Sequence, residues 1–291
     1  MLVSRFFLPG GACPAHMPML DLTRIGLGLV LSSAIGGLAY WRRSLDVSGW
    51  IGAIVVGSIT LGFGGWAWGF TLIIFFISSS ILSHYKESIK ERRAAEKFSK
   101  GGRRDFTQTM ANGGLSSLCA LAYAFTGEPM ILLAAFAGIM ATVNADTWAT
   151  ELGVLSPHRP RLITNGRPVE PGTSGGITLF GSSAAAMGAG LIGVCLFVLL
   201  KLSGEEAPIW VIPAALAGGF SGAMIDSLFG ATIQAIYAYS DGRETERRMD
   251  RQGKPTTFVR GWAWMNNDVV NASSSIGGAL IAILVMFAFG G

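Results

Sequence analysis

Eight long apolar runs, separated by polar segments, cover about 22–41, 48–64, 66–83, 107–126, 130–147, 175–200, 209–232 and 268–289. A helix that crosses the hydrocarbon core of a bilayer needs roughly 20 mostly apolar residues, and most of these runs come close. The second and third are short and meet at GFGGWAW, so 48–83 forms either a helical hairpin or a re-entrant pair. The pattern predicts an all-α, polytopic integral membrane bundle of about 8 transmembrane segments, or 6–8 if that pair does not span. Residues 22–291 form one transmembrane domain with loops at about 84–106, 152–174 and 238–266, and residues 1–21 read as an N-terminal extension.

Composition supports the membrane assignment. The chain is 51% hydrophobic and 14% charged, with mean hydropathy +0.49, whereas soluble domains carry about 25% charged residues. Forty glycines predict close helix–helix approach. Of the 22 Lys and Arg, all but Arg5, Arg24 and Lys201 fall in the alternate loops after spans 1, 3, 5 and 7. The positive-inside rule makes that side cytoplasmic, with both termini opposite. The same bias explains the basic loops, and no nucleic-acid motif accompanies them. Cys13, Cys119, Cys195, His16, His84 and His158 follow no metal or redox spacing. The first 16 residues lack the order of a signal peptide, and translation starting at Met17 or Met19 is an alternative.

Polar residues then gather at the expected cytoplasmic ends. Asp105, Gln108 and Asn112 share one helical face at the start of span 4. Span 5 ends in NADTWATELG, with Asp146, Thr150 and Gly153 on one face and Asn144 and Glu151 on another, so its two carboxylates are expected to point at different places. Asp226 stands among Gly219, Gly222 and Gly230 near the end of span 7, and Asn267, Asp268 and Asn271 open span 8. A charge at the centre of a bilayer costs about 2.5–3.5 kcal/mol on insertion scales, less near the interface. Clustered acids also repel one another, so cations are required: Mg²⁺, or Lys100, Arg103, Arg104, Arg161 or Arg167. Taken singly, Asp105 and Asp268 also read as helix-start acids, Asn112 and Asn271 as interhelical glue, and Glu151 as a solvated side chain.

Two loops suit phosphate. PGTSGG (171–176) offers Thr173 or Ser174 as a cap for span 6, and Gly175 and Gly176 let backbone N–H groups approach an anion. The preceding RLIT brings Arg161 and Thr164 into the same loop. KGGRRD (100–105) supplies Lys100, flexible glycines, the guanidiniums of Arg103 and Arg104, and a carboxylate. No Walker A motif is present.

Five blocks, RRDFTQTMANGG (103–114), NADTWATELGVLS (144–156), RLIT…EPGTSGG (161–176), GAMIDSLFGATIQ (222–234) and NNDVVN (266–271), together resemble the integral membrane family that contains the plant phytyl-phosphate kinase of the tocopherol pathway. The resemblance runs from about residue 22 to the C-terminus. More distantly the chain is similar to polyprenol kinases and CDP-diacylglycerol synthases. Asp146, Ala149, Thr150 and Gly153 match their first block. Thr173, Gly175 and Gly176 approximate the second, with its lysine absent and Arg161 or Arg167 standing in. The resemblance implies transfer of the γ-phosphate of a nucleoside triphosphate, CTP by expectation, to an isoprenyl monophosphate such as phytyl or geranylgeranyl phosphate. It also implies an integral membrane enzyme with a cytoplasmic active site, in the inner or plasma membrane if bacterial. Asp146, Asp226 and Asp268 are the expected Mg²⁺ ligands, with Asp105 a fourth catalytic acid. Arg103, Arg104 and Arg161 would clamp phosphates, and Asn112, Asn267 and Asn271 would orient ligands or nucleotide, with Thr150, Glu151 and Thr164 nearby. Expected partners are the isoprenyl-phosphate lipid, the nucleotide and membrane lipids, but no nucleic acid; a homo-oligomer is compatible with the sequence. Competing readings are a prenol kinase, a CTP-dependent cytidylyltransferase on a lipid phosphate, and a membrane transporter.

Overall fold

The structure, a computed structural model, describes residues 21–94, 103–127, 129–250 and 252–290. In chain order the helices are α1 Leu22–Trp41, α2 Val47–Gly64, α3 Trp66–His84, α4 Glu87–Ala94, α5 Phe106–Phe125, α6 Met130–Gly153, α7 Leu179–Leu202, α8 Val211–Thr232 and α9 Asn267–Phe289. Five short strands join them: β1 Arg161–Leu162, β2 Gly176–Ile177, β3 Ile236–Ala238, β4 Glu244–Thr245 and β5 Thr257–Arg260.

Seven helices (α1, α2, α3, α6, α7, α8 and α9) are long and apolar enough to cross a membrane. α5 is as long as α1, but Thr107, Gln108, Thr109 and Asn112 make its first half polar. The 48–83 region resolves into two complete helices of 18 and 19 residues. They meet at Gly65, whose φ of +86° reverses the chain in a conformation that L side chains rarely adopt. α6 continues through Gly153, past the expected end near 147, so Thr150 and Glu151 belong to the helix.

Helix starts are set by polar side chains. Asp46, Asp105, Thr178 and Asn266 accept from the backbone N–H three residues on, which satisfies groups the helix leaves open. Asp105 is therefore a helix-start acid. The cap of α7 is Thr178, not Thr173 or Ser174, because residues 176–177 are drawn into β2.

α6 is the central helix, buried continuously from Leu133 to Ala145 and packed against α7, α8, α9, α5 and α3. Its approach to α8 and α9 is close because glycines meet there. A Cβ on Gly138 would lie 2.6 Å from the Gly278 carbonyl oxygen, and one on Gly218 would meet the same atom at 2.6 Å. The Thr142 hydroxyl donates to the Gly138 carbonyl at 2.8 Å, with the Gly218 carbonyl at 3.4 Å. In lipid no hydrophobic force drives helices together, so small-residue contact and such hydrogen bonds hold the bundle. α1, α2, α3 and α5 flank this core. Trp68 of α3 sits at the join, stacked on Phe136 of α6 at 4.1 Å with Tyr123 of α5 at 4.7 Å.

The strands lie in the loops after α6 and α8, where the sequence predicts none. β1 and β2 pair antiparallel, and the second sheet has the order β4-β3-β5. Strands of two to four residues in polar, Gly-rich loops carry no usable alternation, so tertiary contacts decide them.

Candidate active site

One end of the bundle assembles from contacts between remote segments. The Arg104 N–H donates to the Ser44 carbonyl at 3.0 Å and its own carbonyl accepts from Asp46 N–H at 3.1 Å, tying the entry of α5 to the start of α2. α4 folds back over the ends of α3 and α6. Lys90 Nζ donates to the Leu82 and Ser83 carbonyls, both at 2.7 Å, and pairs with Glu151. The other oxygen of Glu151 accepts from Ser83 Oγ at 2.6 Å. Arg93 donates to the Val154 and Ser156 carbonyls at 3.0 and 3.2 Å, closing the C-terminus of α6. Arg260 does the same for α8, donating to the Gly230 and Ala231 carbonyls at 3.1 and 3.0 Å.

These ends enclose a cavity of about 380 Å³. Among the residues singled out from sequence, Arg104, Asn112, Asp146, Thr150, Glu151, Thr173, Ser174, Gly175, Gly176, Asp226, Asn267 and Asn271 line it. The others do not. Asp105 caps α5. Arg103 is exposed. Arg161 is exposed and donates to the Gly166 carbonyl at 2.9 Å, within its own loop. Thr164 and Arg167 are exposed as well, and Asp268 is absent from the wall although its neighbours Asn267 and Asn271 are on it. Lys100 lies outside the described residues. Asp146 and Glu151, expected to point at different places, face the same cavity, because it wraps around the end of α6 and is bounded on both sides.

The structure adds Glu246, Gln234, Arg247 and Lys90 to the wall. Glu246 sits in GRETERRMD, a run that reads as a solvated loop, so no sequence signal separates it from its neighbours. Folding places its Oε1 to accept from Ser174 Oγ and Gln234 Nε2, both at 2.9 Å. That carboxylate joins the 171–176 turn to the end of α8. The turn also packs tightly there. Gly175 has φ +81°, and a Cβ on it would lie 2.5 Å from Ala231 N. Gly175→Ala is therefore expected to push the turn off α8 and to destabilise the protein by more than the ~1 kcal/mol of a simple glycine effect. Thermal unfolding of the variant in detergent checks it; an unchanged midpoint would show that the turn can move away from α8 without cost.

The electrostatics are uneven. Asp146, Asp226 and Glu246 lie close enough to repel one another. Among the described residues Asp146 has no hydrogen-bond or ion-pair partner. Asp226 Oδ2 accepts from Ser274 Oγ at 3.1 Å and, with the Asn271 amide oriented by its hydrogen-bond network, from Asn271 at 3.0 Å. Among the described residues neither carboxylate is neutralised by a basic side chain, a donor set that fits a divalent cation. Among the described residues no three His, Cys, Asp or Glu form a closed ligand shell. The expected trio of Asp146, Asp226 and Asp268 is thus not assembled, while its first two members are. Across the cavity, burial lowers the Arg104 guanidinium pKa below its ordinary value, with the Glu151 carboxylate acting in the opposite sense. A desolvated cation of this kind favours an incoming anion.

A family model described as Integral membrane protein DUF92 matches residues 30–279. Protein PGR of Arabidopsis thaliana is 36% identical over 231 residues, covering 72% of this chain and 79% of that protein. An uncharacterised membrane protein of Methanocaldococcus jannaschii is 30% identical over 92% of this chain and 96% of its own length. The chloroplastic protein VTE6 of Arabidopsis thaliana is 26% identical over 83% of this chain and 65% of its own length. No solved structure matches the chain.

Proposed function

The chain belongs to the DUF92 integral membrane family, and on that footing we propose that it transfers the γ-phosphate of a nucleoside triphosphate, CTP by preference, to an isoprenyl monophosphate at the cytoplasmic face of a membrane. The carrying observation is the pair Asp146 and Asp226, acids from separate helices without a basic partner among the described residues, in one cavity with the 171–176 turn and Arg104. The five blocks that resemble the phytyl-phosphate kinase family support the choice of substrate.

Asp146 and Asp226 would hold Mg²⁺, which when bound neutralises polyphosphate charge and orients it. Ser274 and Asn271 fix the Asp226 carboxylate. Glu246 holds Ser174, and with it the turn, against the cavity wall. Arg104 offsets the charge of the acceptor phosphate, since bringing two anions together is the main barrier. A new bond forms between an acceptor phosphate oxygen and the γ-phosphorus, the bond from that phosphorus to the β-γ bridging oxygen breaks, and nucleoside diphosphate leaves. The acceptor is already ionised near pH 7, with a second pKa of about 6, so no general base is required.

The test is purified protein with Mg²⁺, each nucleoside triphosphate in turn, and phytyl or geranylgeranyl monophosphate. Prenyl diphosphate and nucleoside diphosphate are expected, fastest with CTP, and lost reversibly on chelation of the metal. A CDP-lipid with pyrophosphate would reassign the reaction to cytidylyl transfer, and no product from any combination would refute the reading.

A further inference from the structure

A second, apolar slot runs between α1, α2, α3 and α5, lined by residues such as Leu31, Ile35, Ala53, Leu72, Ile73 and Phe76. It is small, about 80 Å³, against about 380 Å³ for the polar cavity. Arg104 and Asn112 line both spaces, and among the described residues Arg104 is the one charged residue on the slot. Its guanidinium lies over the rings of Phe75 and Phe76 at 5.8 and 5.9 Å and makes no hydrogen bond or ion pair among the described residues. Glu151, the acid that acts on it electrostatically, is already engaged by Lys90 and Ser83. The position of Arg104 is enforced by its backbone: a Cβ on Gly49 would lie 2.1 Å from the Arg104 carbonyl oxygen, so α2 can press against it only with glycine there.

We infer that this slot takes the carbons next to the phosphate in the chain of a lipid monophosphate, whose phosphate rests on Arg104 and Asn112 and so enters the polar cavity, while the rest of the chain runs on between the helices. The inference rests on the proposed kinase reading for the identity of that lipid. A soluble anion has no use for an apolar slot, and a neutral lipid none for a buried guanidinium; one molecule with both parts uses the junction as built. A slot of this volume admits one chain and not two, and the route brings the acceptor phosphate in at Arg104, with the turn at 171–176 left to the nucleotide.

Photolabelling tests it. Protein in lipid nanodiscs is irradiated with a prenyl monophosphate carrying a diazirine on its chain, and labelled peptides are mapped. Label is expected on 31–76 and 104–113, displaced by geranylgeranyl monophosphate. Label confined to α7, α8 or α9, or label that the monophosphate does not displace, overturns the inference. Ala53→Trp, filling the slot away from Arg104, should raise KM for geranylgeranyl monophosphate at least about tenfold with KM for the nucleotide unchanged; an unchanged KM for the monophosphate in folded variant protein counts against the slot. Should this variant misfold, Ile73→Phe takes its place, and the wild-type labelling stands alone. Diphosphate synthesis is followed in parallel. Label in the slot without diphosphate keeps the slot and sinks the kinase reading, whereas diphosphate with label elsewhere keeps the kinase reading and sinks the slot.

Discussion

Asp146→Asn and Asp226→Asn are each expected to reduce prenyl-phosphate phosphorylation by about 10²–10³-fold while the protein remains folded. Both changes keep size and shape and remove a charge. Asp146 makes no hydrogen bond or ion pair among the described residues, so its loss breaks no structural contact, and one fewer acid relieves repulsion from Asp226 and Glu246. Thermal unfolding in detergent should therefore be unchanged or shifted upward. This combination, activity lost and stability kept, marks a residue that serves a ligand. Asp226→Asn should also raise the Mg²⁺ concentration needed for half-maximal rate, because Asp226 is the acid anchored by Ser274 and Asn271. Asp105→Asn is the control. Its carboxylate accepts from Gln108 N–H at 2.8 Å as a helix cap, and Asn caps about as well, so its activity should stay near wild type. If Asp146→Asn and Asp226→Asn turn over substrate like Asp105→Asn, the proposed site is wrong.

The second large effect concerns the bundle itself. Gly138→Val should prevent α6 from packing on α9. A Cβ at this position would stand 2.6 Å from the Gly278 carbonyl oxygen and 2.7 Å from Ala282 Cβ, and neither backbone nor Cβ can swing away as a long side chain would. Overpacking of a dense core costs about 1–3 kcal/mol when neighbours can shift, and here whole helices must move, so the loss should reach or exceed the upper end. The expected result is poor recovery of monodisperse protein, or an unfolding temperature well below wild type. Gly26→Ala is the comparison: a Cβ there meets nothing within 4 Å, and alanine favours helix by about 1 kcal/mol. Equal stability of the two variants would mean that the glycine crossing is not a tight contact.

Both predictions show where legibility ended. The spans could be read because the apolar runs are long and several helices carry their own start signal, as at Asp46 and Asp105. Half-turn details could not. α6 runs past its apolar stretch to Gly153, and Arg93, from α4, donates to the Val154 and Ser156 carbonyls just beyond it. The cap of α7 moved to Thr178 because β2 claims the residues before it. Within the site, Asp146, Asp226, Asn112 and Asn271 stood out because polar groups inside apolar helices have few other uses. Arg161 and Arg103 stood out equally and proved exposed, since a loop's sequence does not say which way the loop folds. Glu246 gave no signal, because one acid in a charged loop looks like any other.

The sequence by itself thus determined the membrane class, the long helices and the end of the bundle where polar residues collect, because apolar length and charge asymmetry are local properties that the bilayer reads one segment at a time. Only the tertiary structure decided which acids share a cavity, that Arg104 stands between a polar and an apolar space, and that Glu246 holds the 171–176 turn. Those outcomes depend on crossing points between helices distant in the chain, set by where glycines permit close approach, and no single segment encodes them.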